Sequence, residues 1–176
     1  MRSPGRFKSL AESAGRLLAA EQGARIAVIG MGGWDTHANQ GATKGRLARN
    51  LGLLASGLNE LSLRLAPVWQ DTVICVVTEF GRTVRINGSK GTDHGTAGAA
   101  ILLGGAVAGN RVSTRWPGLN PDALYGGRAL AATSDMRGLF KTVLRDHLNI
   151  PLRDLDQKVF PDSKNAKAPP GQLIRT

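Results

Sequence analysis

Residues 71 to 78 read DTVICVVT, with five apolar, mostly β-branched side chains in a row from Val73 to Val77. A run this short, with no polar alternation, suits a strand covered on both faces, as in a parallel sheet flanked by helices. RIAVIG at 25–30 repeats the pattern and breaks into the Gly-rich loop MGGWDTHANQG, and the run at 99–103 (AAILL) makes a third strand of this kind. A short strand around Arg128 to Thr133 fits beside them. Between these runs lie segments of helical period. From Phe7 to Glu21, the residues Leu10, Ala14, Leu17, Leu18 and Glu21 share one face, and Gly23 is a stop signal. From Thr43 to Leu65 the leucines at 47, 51, 54, 58, 61 and 65 form a single stripe, and Pro67 ends it. Asp135 is placed to cap a helix over 136–148, with Met136, Leu139, Phe140, Val143, Leu144 and Leu148 on its apolar face. The expected fold class is therefore α/β, a layered and mostly parallel sheet with helices on both faces.

Composition narrows the function classes. With 176 residues, 41% of them apolar, 20% charged and 23 Gly, the chain is neither a disordered nor a collagen-like polymer. No apolar run approaches the ~18 residues that cross a bilayer. The opening MRSPGRFKSLAESAGRLL has basic residues but no apolar run ahead of a small-residue cleavage site, so no export signal is read. The single Cys75 lies inside VICVV, which excludes a disulfide framework and a Cys-based metal knuckle and predicts a buried thiol. The net charge of +10 sets up a field that attracts anions. No Lys/Arg block is present, and one Tyr and three Trp are few stacking platforms, so the expected partner is an anionic small molecule rather than nucleic acid. Residues 161–176 open with a Lys/Pro/Ala-rich stretch and read as a solvated tail after a domain spanning 1–160.

In sheets of this class, ligands bind in loops beyond the carboxyl ends of the strands. Two of the three His stand next to Asp in Gly-flanked loops, in GWDTH at 33–37 and GTDHG at 91–95. Imidazole and carboxylate are the ligands that borderline divalent ions such as Zn²⁺ take, and three or four must converge from separate loops. Asp35, His37, Glu79, Asp93 and His94 supply that number and are the candidate metal ligands. The competing reading is that Asp and His in such loops only form turns and caps. Arg82, in EFGR, either binds an oxyanion such as phosphate or sulfate, or pairs with Asp93 or Glu79 to hold the loop. His147, near the end of the 136–148 helix, complements the helix dipole and takes no part in the site. No nucleophile elbow, P-loop or dinucleotide fingerprint is present.

The ordered segments GGWDTHANQ, TVICVVTEFGRT, NGSKGTDHGTAGAAILLGGAVAGNRV, RWPGL and ATSDMRGLFKTVLRDHLNI, with VFP after them, resemble the domain of unknown function family 1501 over about Phe7 to Pro161. That family is placed in the alkaline phosphatase-like superfamily, whose members hydrolyse or transfer phosphate and sulfate esters with two divalent metals on an α/β sheet. The resemblance makes Asp35, His37 and His94 similar to ligands of the first metal, with Zn or Mn the expected ion. Glu79 falls where phosphatases carry an Asp-His pair for the second metal, so that site keeps at most one carboxylate unless Asp93 substitutes. Arg82 is the expected catalytic residue, steadying the ester oxyanion. The resemblance covers only the carboxy-terminal part of such a domain, which implies a fragment lacking the nucleophile, and it implies a periplasmic or secreted protein. Two functions follow as expectations. One is a metal-dependent phosphatase- or sulfatase-like hydrolase, and the other a non-catalytic secreted binding or assembly domain with a structural or vestigial metal site.

Overall fold

The structure, a computed structural model, describes residues 5–175. The chain divides into two compact units, one formed by residues up to Gln70 together with Arg85–Asp93, the other by Asp71–Val84 together with the chain from His94 onward.

The first unit is built on two helices, α1 (Gly5–Ala19) and α2 (Arg46–Arg64). Helix α2 follows the leucine periodicity, with Leu61 and Leu65 of its stripe buried, whereas α1 packs through Ala11 and Gly15 and leaves Leu10 (41%) and Leu17 (62%) of the expected face exposed. The helices approach closely where Gly57 offers no side chain: a Cβ there would lie 2.3 Å from the Phe7 ring. A ladder of ion pairs runs along the seam, from Lys8 to Glu60 (3.6 Å), Glu60 to Arg64 (2.9 Å), Arg64 to Glu12 (2.9 Å) and Glu12 to Arg16 (2.8 Å). Pairing 8 with 60 and 12 with 64 means that the two helices run in the same direction. The connection between them must therefore travel back the length of a helix, and it carries the GGWDTHANQ loop.

The described residues of the second unit form four strands of two or three residues. β1 (Ile74–Val76) pairs antiparallel with β4 (Ile101–Leu103), and β2 (Gly81–Arg82) pairs antiparallel with β3 (His94–Gly95). Helix α3 (Met136–Leu148) has the expected limits, and the Asp135 carboxylate accepts from the Arg137 N–H at 2.8 Å as its cap. The core joins Leu139 and Val143 of α3 to Leu173 and Ile174, with Val73, Cys75 and Leu102 packed against them. Burial pushes the Cys75 thiol pKa up.

Three expectations are corrected. The layered parallel sheet is absent among the described residues, which hold two small antiparallel sheets instead. Parallel pairing needs a crossover, usually a helix, whereas no helix lies between β1 and β4, and β2 and β3 are nested between them. RIAVIG forms no strand: Ile26 is 62% and Val28 94% exposed, and the segment has no ladder partner among the described residues. The short strand expected around Arg128 to Thr133 reduces to isolated bridges from Ala129 to Thr83 and Tyr125. Near the end of the chain, Leu173 and Ile174 are buried, while most described residues after Phe160 are exposed or half-buried. Ile174 bridges to Val107, the Ala108 N–H donates to the Leu173 carbonyl at 2.9 Å, and both apolar side chains enter the core. No described helix is long and apolar enough to cross a membrane.

Candidate metal centre

Within the first unit, the loop at 33–40 is laid against the segment at 87–92 by a series of backbone bonds. Asn39 N–H donates to the Ser89 carbonyl (2.9 Å), Gln40 N–H to the Lys90 carbonyl (3.0 Å) and Thr92 N–H to the Thr36 carbonyl (3.3 Å). The Asn50 side chain on α2 anchors the loop's start by donating to the Gly33 carbonyl at 2.6 Å. Gly91 is required at the closest approach, because a Cβ there would lie 2.3 Å from the His37 carbonyl group. Beneath the seam, the Gln40 Oε1 accepts from the buried hydroxyls of Thr36 and Thr92, each at 2.7 Å.

This scaffold presents His37 between two carboxylates. Its Nε2 lies 2.9 Å from Asp35 Oδ1, and its Nδ1 lies 3.2 Å from Asp93 Oδ1. Asn87 locks the second contact, since its Nδ2 donates both to Asp93 Oδ1 (2.9 Å) and to the His37 carbonyl (3.0 Å). In turn its Oδ1 accepts from the N–H groups of Ser89 (2.9 Å) and Gly91 (3.0 Å). All three ionisable side chains remain partly open to solvent, at 60% for Asp35, 43% for His37 and 46% for Asp93.

The other expected site residues belong to the second unit. Arg82 on β2 stands opposite His94 on β3. The Phe80 ring contacts the His94 imidazole at a centroid separation of 4.3 Å, and the Arg82 guanidinium carbon lies 5.5 Å from the Phe80 centroid. Glu79 lies exposed just before β2. His147 lies in the last turn of α3, as expected of a dipole partner.

The family described as "Protein of unknown function (DUF1501)" matches residues 9–157, most of the chain. The chain belongs to this family. No curated protein and no solved structure matches it. For this DUF1501 member, the chemistry is therefore read from the residues themselves.

An imidazole with one nitrogen on a carboxylate is the arrangement in which the other nitrogen is oriented to bind a cation. Here Asp93 occupies Nδ1, and Asp35 places an oxygen donor beside Nε2. The donors on the Nε2 side, one imidazole nitrogen and one carboxylate, are of the types that Zn²⁺ and Mn²⁺ take. Asp93 thus takes an orienting place on the far side of the ring from Asp35. The sequence reading missed Gln40 and Asn87, because neither residue type ligates a borderline metal. The signal for Asn87 was available in NGSKG, a stretch rich in turn formers whose first side chain caps the N–H groups that follow it. For Gln40 no local signal exists, since its role depends on two threonines that meet only in the folded unit.

Proposed function

We propose that the chain is a divalent-cation-binding hydrolase domain acting on phosphate or sulfate esters. The observation that carries the reading is the His37 ring held between Asp35 and Asp93. In it, Asp35 and His37 Nε2 would hold the ion, and Asp93 would fix the ring through Nδ1. A bound ion of this kind supplies Lewis acidity toward an ester oxygen and acidifies a bound water. Asn87 keeps the Asp93 carboxylate aligned, and the net charge of +10 draws anionic esters toward the chain. The ester class and a periplasmic or secreted setting rest on the sequence resemblance.

The test is a Zn²⁺ and Mn²⁺ titration of the full chain against a chromophoric chelator, followed by turnover assays on aryl phosphate and aryl sulfate. Asp35→Ala and His37→Ala should abolish competition with the chelator. Asp93→Asn should weaken it by about 10–100-fold, the usual effect of losing an orienting carboxylate. His147→Ala should match the wild type. Equal binding by all four variants would sink the assignment, and tight binding without turnover would favour the non-catalytic reading.

A further inference from the structure

Asn87 is followed by Gly88, and this is the only Asn-Gly step among the eight asparagines of the chain. Intramolecular attack of a backbone nitrogen on the preceding asparagine side chain is fastest when the next residue is glycine, because no side chain shields the nitrogen. Gly88 is exposed, and there is open space where a Cβ would stand. Among the described residues its N–H has no hydrogen-bond partner. The Asn87 Oδ1, by contrast, takes two backbone donors, Ser89 N–H at 2.9 Å and Gly91 N–H at 3.0 Å. Two fixed donors on a carbonyl oxygen stabilise the negative charge that gathers there during nucleophilic attack.

We propose that Asn87 is a self-modifying site whose deamidation disconnects the His37 centre. The Gly88 nitrogen forms a bond to the Asn87 side-chain carbonyl carbon, the bond from that carbon to Nδ2 breaks, and ammonia leaves with the proton lost by Gly88. Water then opens the cyclic imide at either carbonyl, giving an aspartyl or an isoaspartyl residue, with no change in oxidation state. The consequence follows from what Nδ2 was doing. It donated to Asp93 Oδ1 and to the His37 carbonyl, and the product offers a carboxylate oxygen to both acceptors. Two hydrogen bonds become acceptor–acceptor contacts, one of them between like charges. The isoaspartyl form also lengthens the backbone of a turn that is closed by Lys90 N–H on the Asn87 carbonyl (3.2 Å) and Asn87 N–H on the Gly91 carbonyl (2.9 Å). Loss of the turn is independent of the function proposed above, whereas loss of cation binding rests on it.

The experiment incubates the full chain at mildly alkaline pH in oxygen-18 water and follows each asparagine by peptide mass spectrometry. The expected result is a three-dalton gain at Asn87 well ahead of the other seven asparagines, and its loss in Gly88→Ala over the same time course. The isoaspartyl chain, separated by ion exchange, should lose hydrogen-exchange protection at the Ser89 and Gly91 amides, whereas Asn87→Asp, whose carboxylate still accepts from both, should keep it. The Zn²⁺ affinity of both chains should fall by about 10–100-fold. An intact Asn87 amide after other asparagines have converted would overturn the proposal. So would an isoaspartyl chain whose Ser89 and Gly91 amides stay protected. If the unmodified chain binds no Zn²⁺ but still loses that protection on deamidation, the modification site stands and the cation reading falls.

Discussion

A single oxygen, Gln40 Oε1, joins the two segments that carry Asp35, His37 and Asp93. It takes both the Thr36 and the Thr92 hydroxyl, and Thr36 is only 2% exposed. Removing an acceptor from buried donors costs about 1–3 kcal/mol per group left unsatisfied. Gln40→Leu should therefore lower the urea-unfolding free energy by about that amount or more, and an unchanged midpoint would mean that water replaces the amide. The double variant Thr36→Val/Thr92→Val in the Gln40→Leu background should recover part of the loss, since no donor is then stranded. At this scale the sequence was informative about chemistry and silent about support. Asp and His in Gly-flanked loops mark themselves as candidates because few residue types bind cations. An amide such as Gln40 looks like any surface glutamine until its threonines are placed around it.

Among the secondary-structure elements, helices were legible and strand pairing was not. The boundaries of α3 follow from Asp135 and the apolar spacing because a helix satisfies its hydrogen bonds locally. A strand takes its partner from elsewhere in the chain. VICVV became β1, but its mate is the antiparallel β4, and RIAVIG has none among the described residues. The α3 face also holds a surprise, for Lys141 is buried there, with its Nζ 2.6 Å from both Asp156 Oδ1 and the Ser163 carbonyl. Periodicity marks a lysine as outward-facing, and only the returning chain at 156–163 reverses that. The cap itself is testable. The Arg137 guanidinium bonded to Asp135 holds its carboxyl below the ordinary carboxylate range, helped by the Arg137 N–H. A depressed folded-state pKa adds stability above the unfolded-state pKa, and that stability is lost as pH falls through the folded-state value. Asp135→Ala should cost about 0.5–2 kcal/mol at neutral pH. The deficit should shrink once the pH falls below the carboxylate range, and a pH-independent deficit would show that the ionised carboxylate is not what caps α3.

For the molecule as a whole, the ends of the chain matter more than composition suggested. The Lys/Pro/Ala bias of residues 161–170 hid the pair Leu173 and Ile174, 5% and 3% exposed, which completes the core of the second unit. Leu173→Ala should cost about 2–5 kcal/mol, the range for truncating a buried leucine, read as a drop in the thermal midpoint with Cys75 reporting through faster thiol labelling. A loss below half a kilocalorie would mean that the segment merely rests on the surface. The Val107–Ile174 bridge also sets a schedule for biosynthesis. A ribosome delivers α3 well before it delivers Ile174, so Leu139 and Val143 emerge without their cover and wait through the translation of the following residues. The core of the second unit therefore cannot close until Leu173 and Ile174 have left the ribosome, and its apolar α3 face stays uncovered for that interval.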